Sequence, residues 1–182
     1  MYKKFILDKT KQIKNALIQR KISSLKKVQY ECIEHMAVEF NQNIFNLAII
    51  CYMLSKMIAK PRYWKTKGLN VYSKKIEKSL DTILNLNYEE GNISKILQEI
   101  IETVHSLDIQ DKKYIHELIE GGKIKIGSSL YSKGITLGVA SDLSGAERID
   151  IMEYIGKTTI HENNREPVEI NDRIKKVREI FG

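Results

Sequence analysis

Apolar residues recur at helical spacing along almost the whole chain. The clearest stretch is 93–104, in which Ile93, Leu97, Ile100 and Val104 share one stripe of a helix. No strand-like alternation of useful length interrupts this pattern, and no internal repeat is convincing. The sequence therefore predicts an all-α fold, a helical bundle over 1–128 followed by a helix-turn-helix-like segment with a C-terminal helix over 129–182, packed together as one unit.

Caps and chain breakers give approximate bounds for the helices. Ser23 or Ser24 is the expected cap of the second helix and Asn92 that of the fifth, while Asp108 or Asp111 opens the sixth. A last helix is expected after Asn171. The helices with both ends defined are predicted over 2–20, 24–40, 44–59, 70–86, 137–144 and 147–156.

The third predicted helix, 44–59, is apolar nearly all round. Such a helix has to be surrounded by others, so we expect it at the centre of the bundle. Its 16 residues include Asn46, Ser55 and Lys56, which makes it too short and too polar for a membrane span. The basic N-terminus lacks the apolar core of a signal peptide, and we expect a cytoplasmic protein with no membrane partner.

The sixth predicted helix contains two adjacent glycines. Gly122 falls on its inner face, where the missing side chain would let a neighbour approach closely. The pair Gly121-Gly122 could equally end the helix there. The sequence leaves both possibilities open.

The stretch 130–161 carries the signals of two short helices joined by a tight turn. Thr136 is a good N-cap, and Gly145 supplies the positive φ that turns the chain. Ser141, four positions before Gly145, is the small residue that a helix-turn-helix needs where its helices cross. The apolar residues expected on the inner faces are Ala140, Leu143, Ala146, Ile151, Met152 and Ile155.

The same stretch resembles known proteins. The ending 155–161, Ile-Gly-Lys-Thr-Thr-Ile-His, resembles the end of an uncharacterised archaeal family with a helical N-terminal half. The helix-turn-helix of a family of short prokaryotic proteins, described as uncharacterised or antitoxin-like, is similar over about a fifth of the chain. These resemblances imply a DNA-associated role and bring no established activity. The residues shared with the second family are Leu130, Tyr131, Gly134, Thr136, Leu137, Gly138, Ala140, Leu143, Gly145, Glu153, Ile155 and Gly156.

Positive charge is concentrated at the N-terminus. The chain carries a net charge of +7. Residues 1–30 alone carry +8, because they contain nine Lys or Arg and a single acid, Asp8. Such a surface binds phosphates with an affinity that falls steeply with salt, or it is a solvated helix face. We predict a nucleic-acid-binding set formed by Lys3, Lys4, Lys9, Lys11, Arg62, Lys65, Arg148 and Lys157.

Two members of this set belong to an aromatic and basic loop. Arg62 and Lys65 flank Tyr63 and Trp64, on whose rings a base could stack. The alternative is that Trp64 covers the edge of the core, as tryptophan usually does.

The second helix of the helix-turn-helix has a mixed character. A reading helix needs donors near its start, and Arg148 is the only good one. Glu147, Asp150 and Glu153 would face phosphate. The alternative is that this helix packs against a partner through Ile149 and Met152.

Two functions follow from these observations. The first is a non-enzymatic protein that binds DNA or RNA, for example a DNA-binding regulator, as a homo-oligomer and most simply a dimer. The second is a protein-interaction scaffold or an antitoxin-like partner, in which the helix-turn-helix is a packing element.

Catalytic, cofactor and metal sites find little support. The stretch 122–129 has the glycine spacing of a phosphate loop, but Ser128 stands where that loop needs lysine. Cys32 and His35 share a helix face without the second pair of ligands that a zinc site requires. The two cysteines are expected to be reduced thiols. We therefore expect no enzyme activity, no cofactor and no metal.

Overall fold

The computed structural model describes residues 2–60, 67–85, 90–105 and 112–162, and every regular element in these ranges is a helix. The all-α prediction is confirmed for this part of the chain. The predicted helix after Asn171 lies outside the described residues. The helices are α1 (Tyr2–Ile18), α2 (Ile22–Val38), α3 (Gln42–Ile58), α4 (Lys67–Asn85), α5 (Glu90–His105), α6 (Lys112–Ser132), α7 (Leu137–Ser144) and α8 (Arg148–Glu162).

Some predicted caps are wrong. Helix α2 begins at Ile22, so Ser23 and Ser24 lie inside it. Arg20 adopts a positive φ of 52° and closes α1, and the next helix starts within two residues. Helix α5 begins at Glu90, which also places Asn92 inside the helix.

Helix α3 occupies the centre of the bundle, as its all-round apolar pattern predicts. It packs against α1, α2, α5 and α6. Leu47, Ile50 and Cys51 are completely buried. The Asn41 side chain caps the helix by accepting hydrogen bonds from the backbone N–H groups of Asn43 and Ile44.

Helix α6 connects the bundle to the C-terminal helices. It runs unbroken through its glycines, so Gly121-Gly122 does not end it. A Cβ atom on Gly122 would lie 3.1 Å from Cδ1 of Ile49, which explains the close packing of α6 on α3. The predicted boundary between 128 and 129 therefore falls inside one continuous helix, whose C-terminal half packs against α7 and α8.

The length and apolar character of these helices decide whether one of them could span a membrane. None of those in the described ranges combines the length and the apolar character needed to cross a bilayer.

Candidate nucleic-acid interface

The turn between α7 and α8 has the geometry that the sequence predicts. The Thr136 hydroxyl accepts a hydrogen bond from the backbone N–H of Val139 and caps α7. Gly145 has a φ of 66°, and its N–H donates to the carbonyl of Ser141 at 2.8 Å. The Ser141 hydroxyl donates to the carbonyl of Ala146 at 2.7 Å. These bonds fix the angle at which α8 leaves the turn.

The inner faces of α7 and α8 pack on α6. Ile151 is completely buried against Gly127, where a Cβ atom would lie only 2.7 Å from Cδ1 of Ile151. Met152, expected inside, is instead 46% exposed, because the neighbouring Ile151 takes the inward position on α8. Ile149 is 68% exposed and Val139 46%. The outer surface of α7 and α8 therefore presents apolar side chains to solvent.

Charge on this outer surface is predominantly negative. Residues 137–158 contain four acids and two bases. Of the two bases, Lys157 forms an ion pair with Glu153, with 3.2 Å between Nζ and Oε2. The guanidinium of Arg148 lies beside Gly138 in α7. The acidic residues are Asp142, Glu147, Asp150 and Glu153.

The predicted lysines of α1 divide into two groups. Lys3, Lys4 and Lys11 are exposed, whereas Lys9 is buried, with 7% of its surface accessible. Nζ of Lys9 lies 2.6 Å from Oε2 of Glu31. Burial lowers the pKa of Lys9, but hydrogen bonds to Glu31 and a neighbouring aspartate outweigh it and leave the pKa raised. Lys9 is therefore buried and paired with carboxylates, and it leaves the predicted phosphate-binding set.

Periodicity explains the burial of Lys9. It falls between Ile6 and Ile13 on the inward stripe of α1, at spacings of three and four residues. The sequence alone contained this signal. The predicted contacts at Arg62 and Lys65 lie outside the described residues.

The structure brings together a basic and aromatic groove that sequence reasoning missed. We call it the tyrosine–lysine groove. It lies between α2, α3, α6 and α8 and has a volume of about 760 Å³. No Asp or Glu of the described chain lines it. Its lining consists of Lys26, Lys56, Lys125, Lys133, Tyr30, Tyr52, Tyr154, Gln29, Ile33, Ser55, Ser129 and Ser132.

Lysine ammonium groups lie over the tyrosine rings of the groove. Nζ of Lys133 is 4.4 Å from the ring centre of Tyr30. Lys125 lies 5.3 Å from the ring centre of Tyr154, which joins α6 to α8. In α3, Lys56 lies 5.4 Å from the ring centre of Tyr52. All three distances are within the range of a cation–π interaction.

Two further contacts shape one end of the groove. Nζ of Lys133 lies 3.2 Å from the hydroxyl of Tyr30 and 3.3 Å from Oε1 of Glu34, which stands just outside the lining. The hydrogen bond with Tyr30 and the carboxylate of Glu34 raise the pKa of Lys133, which favours its charged form.

Gln29 is a buried polar group on the wall of the groove. Only 8% of its surface is accessible, and its Nε2 has no hydrogen-bond partner among the described residues. A buried amide N–H without an acceptor costs free energy. An oxygen atom of a ligand in the groove would remove this cost.

The groove could not be read from the sequence because its parts come from separate helices. In α2, Lys26, Gln29 and Tyr30 form an ordinary helical stripe. In α6, Lys125 and Ser129 do the same. Only tertiary packing turns such stripes toward each other.

Comparison with known proteins adds no assignment. No protein-family profile, curated protein or solved structure matches this chain. The resemblances to the archaeal and antitoxin-like families therefore stay predictions. Within the described ranges, no three His, Cys, Asp or Glu side chains are grouped as metal ligands.

Proposed function

We propose that the protein is a non-enzymatic, nucleic-acid-associated protein that binds phosphates in the tyrosine–lysine groove. The observation that carries the proposal is the convergence of four lysines from three parts of the chain on one concave surface, which no carboxylate of the described ranges lines. Lysine contacts to phosphate release counterions from nucleic acid and supply affinity that does not depend on sequence.

The groove also connects to the basic surface of the N-terminal helices. Lys26 is exposed on α2, the helix that carries the exposed Lys27. Exposed Lys4 and Lys11 on the neighbouring α1 extend the positive potential. Such a field raises the local concentration of a polyanion before it docks.

The outer surface of α8 supports the proposal less well. Asp150 and Glu153 would repel phosphates at the positions where a reading helix approaches DNA. We therefore assign Arg148 and Lys157 a secondary role.

The test is a salt series measured by fluorescence anisotropy with a labelled single strand and a labelled duplex. Four lysine contacts to a single strand give a slope of about −3 in a plot of log affinity against log salt. Combining Lys56→Gln, Lys125→Gln and Lys133→Gln should bring this slope to about −1.

A control variant of equal charge change isolates the groove. It combines Lys74→Gln, Lys78→Gln and Lys95→Gln, three exposed lysines of α4 and α5 outside the groove. This variant should keep most of the wild-type slope of log affinity against log salt, because its groove lysines are intact. Equal losses in the two variants, or absence of binding at low salt, would contradict the proposal.

A protein partner is the second candidate function. The observation in its favour is the apolar outer surface formed by Val139, Ile149 and Met152. Exposed apolar side chains that lie together are typical of a protein contact. If two copies associate through this surface, Ile149→Asp should shift sedimentation from dimer to monomer, whereas Val38→Asp, at an exposed position on α2, should leave it unchanged.

A further inference from the structure

The tyrosine–lysine groove contains more than phosphate binding requires. A purely electrostatic site needs cations alone, yet each of three lysines here lies over a tyrosine ring. Tyr30 is 55% exposed, and the half-buried Tyr154 lines the same groove. Aromatic rings beside lysines are the components of single-strand binding sites, where bases stack on the rings.

Building on the proposed function, we propose that the groove binds unpaired nucleotides of a single strand. The base stacks on the ring of Tyr30 or Tyr154, and the lysine that covers this ring moves to the phosphate. The amide Nε2 of Gln29 donates a hydrogen bond to an oxygen of the bound nucleotide.

A lysine can readily leave the tyrosine ring for a phosphate, both energetically and sterically. A cation–π contact at an exposed site is weak, so that an arriving phosphate readily outcompetes it. Lys133 is 23% exposed and Tyr30 reaches solvent, which leaves room for the ammonium to move. When the ammonium group leaves, the face of the Tyr30 ring becomes accessible, and the base can stack on it.

Gln29 provides an independent indication that a ligand enters. Gln29 lines the groove, and its Nε2 is buried and lacks a partner in the described structure. Phosphate oxygens and the carbonyl oxygens of bases are acceptors that can satisfy it. No other element of the proposal depends on this hydrogen bond, so that it can be tested separately.

The size of the groove favours a single strand over a duplex. Its volume of about 760 Å³ falls within the range of ligand-enclosing pockets. One or two nucleotides fit such a space. In a duplex the bases are stacked on each other and cannot reach the tyrosines without being flipped out, at a cost in unstacking.

The experiment compares four probes on the full chain: a short labelled single strand, the same strand with abasic sites, its duplex, and a mononucleotide as competitor. The variants are Tyr30→Leu, Tyr154→Leu, Tyr30→Phe and Gln29→Leu. Tyr131→Leu is the control, since Tyr131 is an exposed tyrosine of α6 outside the groove. Thermal melts establish that each variant is folded.

The single strand should bind more tightly than its abasic form and its duplex. Tyr30→Leu or Tyr154→Leu should weaken it by about fivefold or more, as loss of a base–aromatic stack does. Tyr30→Phe keeps the ring, so its affinity for the single strand should stay within about twofold of the wild-type value. Gln29→Leu should weaken binding of the intact strand, while Tyr131→Leu should have no effect.

The outcomes separate this inference from the function on which it rests. Equal affinity for intact and abasic strands, with a normal salt slope and no effect of either tyrosine variant, overturns base stacking and leaves phosphate binding in place. A mononucleotide that competes as well as the strand overturns the single-strand assignment. Failure of every nucleic acid to bind at low salt overturns the proposed function itself.

Discussion

The two sides of α8 meet different surroundings. Toward α6, Ile151 is buried against Gly127 and the Tyr154 ring lies beside the Lys125 ammonium group. On the outer side, Ile149 and Met152 are exposed among acidic residues. The inner side belongs to a basic groove, and the outer side is apolar and negative.

This difference separates local geometry from binding chemistry. Thr136 caps α7, and Gly145 turns the chain toward α8. This local geometry alone does not supply the positive charge that phosphate contacts need. The charge lies instead in the groove, to which α8 contributes one tyrosine and α2, α3 and the end of α6 contribute the rest.

The largest expected effect comes from breaking the contact that joins α8 to α6. Gly127→Ala places a Cβ atom 2.7 Å from Cδ1 of Ile151 and from Oγ of Ser144, both buried. Overpacking of this kind costs about 1–3 kcal/mol, which outweighs the helix propensity gained from alanine. We expect a lower midpoint of urea unfolding and weaker single-strand binding, because Tyr154 moves with α8.

Gly156 provides the matched control for that substitution. It lies in α8 with no atom within 4 Å of an added Cβ atom. Gly156→Ala should therefore raise the free energy of unfolding by up to about 1 kcal/mol through helix propensity alone. A Gly127→Ala variant as stable as Gly156→Ala would show that α6 and α8 are not tightly packed at this point.

An effect of intermediate size is expected on the reactivity of the two buried cysteines, Cys32 and Cys51. Burial raises the pKa of the Cys32 thiol to about 12 from its usual 9.0, and it also raises that of Cys51. Because a raised pKa keeps the thiol protonated, neither cysteine should react appreciably with a thiol reagent at pH 8–9 in the folded protein.

The sign of the pH effect follows from the same shift. In the unfolded chain the thiols ionise near pH 9, whereas in the folded protein they stay protonated to higher pH. Their contribution to the free energy of unfolding is therefore fully present below pH 9 and is lost as the pH rises toward 12. If Gly127→Ala displaces only α7 and α8, the thiols stay protected in that variant. Rapid labelling of the folded wild type at pH 8 would contradict the burial of both cysteines.

The smallest expected effect is on the outer side of α8. Arg148→Ala should change single-strand affinity by about twofold or less, because Arg148 lies away from the groove and among acids. Lys125→Gln is the matched change on the inner side and should weaken binding several-fold. A loss for Arg148→Ala as large as that for Lys125→Gln would assign binding to the outer surface.

Periodicity and capping were sufficient for much of the fold. The all-round apolar pattern of α3 placed it at the centre, and Thr136 with Gly145 defined the turn before α8. These features are local, since each depends on residues a few positions apart. Cap prediction failed at Ser23 and Asn92, where a good capping residue lies just inside a helix that starts earlier.

The site was less predictable than the fold. The excess of basic residues predicts Lys9 as a surface charge, although its spacing from Ile6 and Ile13 places it on the inward stripe of α1. Tyr30 and Lys133 are 103 residues apart in the chain and meet only in the folded protein. Contacts of that kind depend on how helices pack, and a single sequence carries no local signal for them.

The most direct test of the central claim is lysine footprinting. The full chain is acetylated at low reagent concentration with and without a saturating single strand, and the rate at each lysine is measured by mass spectrometry. The account predicts slower modification of Lys56, Lys125 and Lys133 in the complex, with Lys95 and Lys157 little changed. Protection of Lys157 with unchanged rates at the three groove lysines would contradict it.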